Sequence, residues 1–149
     1  MSARKLLLSF FISFLWVLIA GNRYSYNFIG TETIGSNFFP FILWGIGLFF
    51  AVELFNLFRK EVLKERKQRR AFLIFCLFYA VFLILVETIG YHILGIHNDA
   101  MASYSGLPVC DCMHAVWWMK IVYFCLGPIY YLATLKKQNL LEIISVFKL

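Results

Sequence analysis

The stretch Phe38–Phe58 (FFPFILWGIGLFFAVELFNLF) and the stretch that follows it, Arg59–Arg70 (RKEVLKERKQRR), determine how the rest of the chain is organised. At about 1.5 Å of rise per residue, the apolar run makes a helix of roughly 30 Å, which matches the hydrocarbon core of a bilayer. The second run carries seven Lys and Arg residues against two Glu residues. Because basic loops beside spanning helices stay on the cytoplasmic side, the two runs predict a membrane-spanning helix whose C-terminal end faces the cytoplasm.

The composition is typical of a membrane protein. Of the 149 residues, 62% are hydrophobic and 15% are charged, and a soluble domain of this size would expose too much apolar surface. The formal net charge is +6, and the excess lies in segments beside the predicted helices. This placement favours anionic lipid headgroups over nucleic acid. The lipid bilayer is therefore the predicted environment, and nucleic acid is not a predicted partner.

Three further apolar runs predict three more helices in a single polytopic domain, 1–149. The four predicted helices cover about 6–21, 38–58, 71–94 and 115–135. The first of them is also compatible with a cleaved signal peptide, because Ala20 is small enough to precede a cleavage site. Leu18 is too large for the position two residues before it, so a retained helix is favoured. Tyr24, Tyr26 and Phe28 follow this helix and are predicted to lie at the level of the lipid headgroups.

The distribution of positive charge predicts one topology. Twelve of the fourteen Lys and Arg residues lie in the N-terminal lead, in the basic run and in the tail from Lys136 onward. We therefore predict an all-α, integral membrane four-helix bundle with both termini cytoplasmic. The tail, Asn139–Leu149, is predicted to form a short C-terminal interfacial helix, because its apolar residues share one face. We expect an integral protein of the bacterial inner membrane.

Three charges lie inside apolar runs: Glu53, Glu87 and Lys120. Charges at membrane depth cost several kcal/mol unless they are paired or hydrated, so each is a candidate functional residue. Counting from the cytoplasmic helix ends places Glu87 and Lys120 at a similar depth, roughly 23 Å up. An ion pair between the third and fourth helices is one interpretation, and extension of both side chains to the outer interface is the other. Glu53 is shallow on the inner side and is predicted to contact the basic run rather than relay protons.

The loop between the third and fourth helices concentrates soft metal ligands. Cys110, Cys112 and His114 lie within five residues, and His97 and Asp99 precede them in the same loop. Such side chains are suited to zinc or copper, although Cys-x-Cys is not the usual zinc spacing. Thiol–disulfide exchange on an oxidising outer face is a second interpretation. Local packing and hydrogen bonding is the third, and it is the interpretation that the sequence favours. The sequence contains no recognisable catalytic set.

The segment Ile34–Pro40 (IGSNFFP), which leads straight into a helix, resembles the entry to the second helix in the small membrane subunit of tripartite tricarboxylate transporters. Gly90-Tyr91 matches the glycine and aromatic that end the third helix in that family. The resemblance covers roughly Leu6–Leu94, and the chain departs from the family pattern at Gly95–His114. The resemblance implies an accessory subunit beside a larger transporter subunit and a periplasmic binding protein, with no catalysis of its own.

Four helices with thiols on the outer face also resemble the quinone-coupled disulfide-oxidase membrane proteins. Those proteins carry a cysteine pair in their first outer loop, and Gly21–Asn37 contains no cysteine. The sequence therefore favours a non-catalytic accessory subunit bound to a larger membrane protein, with an organic-acid transporter as one such complex. The alternative is a metal-binding or thiol-redox membrane protein that uses Cys110, Cys112 and His114.

Overall fold

The computed structural model describes residues 3–26, 35–63 and 67–135, and every described element is helical apart from one isolated bridge between Tyr26 and Asn98. The predicted all-α class and the number of long helices are therefore confirmed. The elements are α1 (Ala3–Ala20), a 3-10 turn (Gly21–Arg23), α2 (Gly35–Phe58) with a π-helical end (Arg59–Leu63), α3 (Gln68–Thr88) with a π-helical end (Ile89–Ile93), a 3-10 turn (Asp99–Met101) and α4 (Trp117–Thr134). The predicted interfacial helix in the tail lies outside the described residues.

Three of the four helices are long and apolar enough to cross a membrane. The segments Ala3–Ala20, Asn37–Val62 and Gln68–Ile93 reach mean hydropathies of 1.8, 2.0 and 2.6. The fourth helix, α4, does not join this set, although the sequence predicts a spanning helix there. Lys120, Pro128 and a series of Trp and Tyr residues lower its hydropathy. The orientation of the termini stays a prediction.

The helices pack as two antiparallel pairs, α1 with α2 and α3 with α4. Along the first pair, Gly45 lies against the ring of Phe10, so closely that a Cβ at position 45 would be 2.5 Å from a ring carbon. The buried hydroxyl of Ser13 donates to the Phe41 carbonyl at 2.6 Å, which satisfies a polar atom that the helix places in the interior. Gly45 on α2 and Ser13 on α1 thus let the two helices approach closely.

Aromatic side chains fill the core of the second pair. The rings of Phe75 and Tyr131 stack at 4.4 Å, and Phe55 from α2 meets both of them edge-on. Further along, Tyr79 of α3 crosses Gly127 of α4, where an added Cβ would lie 2.4 Å from the tyrosine ring. These contacts fix the register of α3 against α4 and so hold in place the α3–α4 loop (residues 94–116). The end of the bundle that carries this loop is called the loop end below.

Candidate functional site

The loop end contains a disulfide between Cys110 and Cys112. Their Cα atoms are 5.1 Å apart, and only Asp111 separates them in the chain. Cys112 is fully buried, whereas Cys110 is partly exposed. Cys110 is therefore the more accessible residue of the pair, and Cys112 is enclosed by the fold.

A tight turn brings the two cysteines together. The Leu107 carbonyl accepts hydrogen bonds from the backbone N–H groups of Cys110 at 3.1 Å and Asp111 at 2.7 Å. The Leu107 N–H in turn donates to the Cys112 carbonyl at 2.8 Å. Gly106 is needed at this point, because a Cβ there would lie 2.8 Å from the Asp111 carbonyl carbon. The chain thus folds back on itself over only a few residues.

The backbone on either side of Cys112 is in the left-handed region. Asp111 has φ 44° and Met113 has φ 57°. Asp adopts this conformation more readily than most residues, but Met rarely does, and such positions cost of order 1 kcal/mol or more. Strained backbone of this kind concentrates at functional sites, so it identifies the disulfide turn as a candidate.

His114 lies beside the disulfide turn and is held by backbone carbonyls. Its Nδ1 is 2.6 Å from the Tyr104 carbonyl oxygen, and its Nε2 is 3.2 Å from the Asp111 carbonyl oxygen. The ring also stacks on Tyr91 at 5.0 Å, and His97 stacks on Tyr91 at 4.3 Å.

The predicted metal ligands do not converge on one point. The sulfurs of Cys110 and Cys112 are bonded to each other, and both nitrogens of His114 face carbonyls. His97 Nε2 lies 3.2 Å from the Tyr91 carbonyl, and Asp99 is exposed at the start of a 3-10 turn. Within ranges 3–26, 35–63 and 67–135, no group of three or more His, Cys, Asp and Glu side chains is placed to hold a metal ion. Binding of zinc or copper stays a prediction, and it requires the reduced thiols.

The ion pair between Glu87 and Lys120 is not formed. Lys120 Nζ donates instead to the carbonyls of Ser105 and Gly106, the latter at 3.3 Å. Lys120 lies in the first turn of α4, and its ammonium is close enough to bind these two carbonyls of the α3–α4 loop. Lys120 therefore anchors the loop. Of the two interpretations of Glu87 and Lys120, the ion pair was wrong, and extension of the side chains to the outer interface stays a prediction.

Glu53 does form an ion pair, but with a different partner from the one predicted. Its carboxylate lies 2.7 Å from the ammonium of Lys5, and both side chains are about one-third exposed. Lys5 lies near the start of α1, and the antiparallel packing of α1 on α2 brings it to the depth of Glu53. The described part of the basic run, Arg59–Leu63 and Lys67–Arg70, contributes no ion pair to this carboxylate.

A buried cluster of tyrosine hydroxyl and tryptophan indole groups lies in the helix bundle next to the loop end. The Tyr24 hydroxyl accepts from the indole N–H groups of Trp16 at 2.7 Å and Trp44 at 3.3 Å, and it lies 3.1 Å from the Tyr123 hydroxyl. Burial raises the pKa of Tyr24 to about 12, and burial also raises the pKa of Tyr26 well above its usual value. The Tyr24 side chain is 4% exposed, so it packs inside the protein, and its depth at the headgroup level stays a prediction.

This cluster escaped the sequence analysis because its members lie far apart in the chain. The available signal was that a Trp or Tyr occurs near the loop-facing end of α1, α2 and α4. Aromatic residues at helix ends are typical of the membrane interface, so this signal alone does not distinguish a buried network from an aromatic belt.

Comparison of the chain with protein-family models, with curated protein sequences and with solved structures finds no match. The fold and the site together define a small helical protein with three helices apolar enough to cross a membrane and a Cys-x-Cys disulfide in the loop before its last helix. The resemblance to the tricarboxylate-transporter subunit stays a prediction.

Proposed function

We propose that this protein carries out thiol–disulfide exchange at the Cys110–Cys112 disulfide with cysteine-containing peptides or proteins on the outer side of the membrane. The observation that supports this most directly is the disulfide itself, which encloses a single residue. The predicted topology places the α3–α4 loop outside, and disulfides persist in such oxidising compartments.

A structural role explains this disulfide poorly. A cross-link stabilises a protein mainly by restricting the unfolded chain, and in the chain-entropy description the effect grows with the size of the loop that it closes. The loop between Cys110 and Cys112 is nearly as small as a loop can be. The contribution to folding is therefore small, and a chemical role accounts better for a cysteine pair at this spacing.

The turn around the disulfide favours exchange. Left-handed backbone at Asp111 and Met113 costs free energy in the closed turn, and such backbone strain concentrates at functional sites. Val109, which precedes the partly exposed Cys110, is 82% exposed and offers an apolar contact to an incoming peptide. Cys110 is thus the more accessible of the two cysteines, while Cys112 is enclosed.

The exchange proceeds in two balanced steps. A thiolate of a partner dithiol attacks Cys110 Sγ, the Cys110–Cys112 bond breaks, and Cys112 leaves as a thiolate that takes up a proton. The partner's second thiolate then attacks the partner's first sulfur, which is bonded to Cys110 in the mixed disulfide. Cys110 leaves as a thiolate that takes up a proton, and the partner's two sulfurs are joined. The partner loses two electrons and two protons to the Cys110–Cys112 pair. A partner disulfide restores the pair by the reverse of the same steps.

Peptide oxidation tests the proposal. The purified chain with its disulfide intact is mixed with a synthetic peptide that carries two cysteines, and thiols on both are counted by alkylation and mass spectrometry. We expect one peptide disulfide to form for each Cys110–Cys112 bond lost. A Cys76→Ser variant is the matched control, since Cys76 is a free cysteine within α3.

Single-cysteine variants test the order of attack. With a peptide disulfide as the probe, Cys112→Ser is expected to accumulate a mixed disulfide through Cys110, and Cys110→Ser is expected to accumulate far less through the buried Cys112. Equal trapping by the two variants, or a peptide left unoxidised by the intact chain, contradicts the proposal.

A role as an accessory subunit of a membrane complex is the second candidate. In the single chain, 17% of the most apolar 18-residue segment of α3 and its π-helical end is buried, whereas 39% of the corresponding segment of α2 is buried. A larger membrane protein, such as an organic-acid transporter subunit, would cover the remaining face of α3. Co-purification with one larger polytopic protein in mild detergent is the expected result, and purification of this chain alone at full yield contradicts it.

A further inference from the structure

We propose that the cleft between α2 and α3 is a binding site for a small lipophilic organic cation, such as a tertiary or quaternary ammonium, whose charge is paired by Glu87. The site is separate from the disulfide turn, and it goes beyond the exchange reaction proposed above.

The cleft has a volume of about 210 Å³ and is largely apolar. Pockets for drug-sized ligands are usually about 300–1,000 Å³, so the occupant is smaller than these. The residues that decide its chemistry are Trp44, Gly47, Tyr79, Phe82, Val86 and Glu87. Aromatic walls attract a cation through the negative faces of their rings, and the aliphatic walls suit an apolar body.

Glu87 lies where this cleft meets a second, polar cavity. That cavity has a volume of about 60 Å³, lies beneath the α3–α4 loop, and is lined by Asn98 and His114 among others. Tyr26, Trp44 and Glu87 line both spaces. The carboxylate is thus the charged group at the junction of an apolar space and a polar one, and such a junction suits a ligand with one charged end.

Among the residues that the structure describes, none forms an ion pair or a hydrogen bond with the Glu87 carboxylate. The described basic side chains at this end of the bundle have other partners. Lys120 binds loop carbonyls, and the Arg23 guanidinium lies 5.3 Å from the ring centre of Trp118 and donates to the Ala20 carbonyl. His114 is held between the carbonyls of Tyr104 and Asp111.

The lack of a partner for Glu87 among residues 3–26, 35–63 and 67–135 indicates the charge of the ligand. A carboxylate within an apolar segment is costly unless it is paired or hydrated. A lipid acyl chain would fill the cleft but leave the carboxylate unpaired. An organic cation fills the cleft and also pairs the charge, so it satisfies both halves of the site.

Binding of benzyltrimethylammonium to the purified full-length chain in detergent tests the proposal. Radiolabelled ligand and equilibrium dialysis give the dissociation constant. Glu87→Gln is expected to weaken binding at least about tenfold, because truncation of one member of an enclosed charge pair has effects of this size or larger. Glu61→Gln is the matched control, since Glu61 is an exposed carboxylate far from the cleft, and it is expected to bind as the unaltered chain does.

Two further measurements separate charge from shape and from misfolding. Gly47 lines the cleft, and an added Cβ there meets no atom within 4 Å, so Gly47→Leu is expected to fold normally and to block binding. Neopentylbenzene, the uncharged counterpart of the probe, is expected to compete at least about tenfold more weakly. Equal competition by neopentylbenzene, or unchanged binding in both Glu87→Gln and Gly47→Leu, overturns the proposal.

Discussion

The hydroxyl oxygen of Thr88 lies 3.7 Å from the sulfur of Cys112 while the same hydroxyl donates to the Ile84 carbonyl at 2.7 Å. The last turn of α3 thus places a hydrogen-bond donor against the enclosed sulfur of the disulfide. In the oxidised protein this hydroxyl donates its hydrogen bond to the Ile84 carbonyl. When Cys112 leaves as a thiolate, a small rotation of the Thr88 hydroxyl lets it donate to the charged sulfur instead. A hydrogen bond to a charged acceptor is stronger than one to a neutral acceptor.

Replacement of Thr88 by valine is expected to slow opening of the disulfide. Valine keeps the shape of threonine but removes the donor, so the Cys112 thiolate loses one hydrogen bond as it forms. A charge-assisted hydrogen bond contributes about 1.5–3 kcal/mol, and a sulfur acceptor gives less than that, so we expect a reduction rate roughly 3- to 10-fold lower. The measurement is the rate at which dithiothreitol releases two thiols.

Thr134→Val is the matched control for this experiment. Thr134 makes the same kind of hydrogen bond, to the Tyr131 carbonyl at 2.7 Å, but at the opposite end of α4 from the disulfide. Its substitution is expected to leave the reduction rate unchanged. Equal effects of the two substitutions would show that Thr88 acts through helix stability alone.

Tyr24 is expected to be a principal contributor to the stability of the loop end. Tyr24→Phe keeps the ring but leaves the indole N–H groups of Trp16 and Trp44 without their acceptor. A buried donor without a partner costs about 1–3 kcal/mol, so the free energy of unfolding should fall by roughly this amount. Tyr104→Phe, at an exposed tyrosine, is the control and should have little effect. Thermal unfolding in detergent measures both.

The raised pKa of Tyr24 predicts a loss of stability at alkaline pH. Its pKa is about 12 in the folded protein against 10.0 for an unperturbed phenol, so the folded state holds this proton longer than the unfolded state does. The stabilisation is complete below pH 10 and is lost as the pH rises through about 12. A shift of this size corresponds to roughly 2–3 kcal/mol. Tyr24→Phe should make the decline in stability between pH 10 and 12 shallower than in the unaltered chain.

The length of the apolar runs and the charges that flank them were sufficient to predict the helices. The run that ends at Phe58 is confirmed to its last α-helical residue. The third helix begins three residues before its predicted start, and with its π-helical end it finishes at Ile93, one residue before its predicted end. Long apolar runs bounded by charge leave the chain few alternatives. The fourth helix was harder, because Lys120 and Pro128 make it less apolar than a typical spanning segment.

Partners across the bundle were much less predictable than the helices themselves. Counting residues gave Glu87 and Lys120 a similar depth, but depth does not determine which way a side chain faces around its helix. Glu53 was assigned to the neighbouring basic run, whereas the antiparallel packing of α1 brings Lys5 to it from 48 residues away. The Cys-x-Cys spacing located the disulfide turn correctly and left its chemistry open among three interpretations.

Gly127 is expected to be intolerant of any side chain. A Cβ there would lie 2.4 Å from the ring of Tyr79, and that ring is fixed because its hydroxyl donates to the Tyr123 carbonyl at 3.0 Å. Overpacking in a well-packed core costs about 1–3 kcal/mol, so Gly127→Ala should lower thermal stability clearly. Gly90→Ala is the control, since a Cβ at Gly90 meets no atom within 4 Å. If the Gly127→Ala and Gly90→Ala variants unfold at the same temperature, the close contact of α3 with α4 is contradicted.

Labelling of single cysteines in intact cells tests the predicted topology, on which the assignment of the disulfide to the outer side depends. The starting chain has serine in place of its native cysteines: Cys76, Cys110, Cys112 and Cys125. Val109→Cys and Lys60→Cys then place one thiol at each end of the bundle, at side chains that are 82% and 80% exposed. Because the side chains at positions 109 and 60 are about equally exposed on the protein surface, a difference in labelling comes from the membrane.

A membrane-impermeant maleimide should modify position 109 in intact cells and position 60 only after permeabilisation, since the basic run is predicted to lie on the cytoplasmic side. Modification of position 60 in intact cells would invert the topology and place the Cys110–Cys112 disulfide in the reducing cytoplasm, where such a bond does not persist.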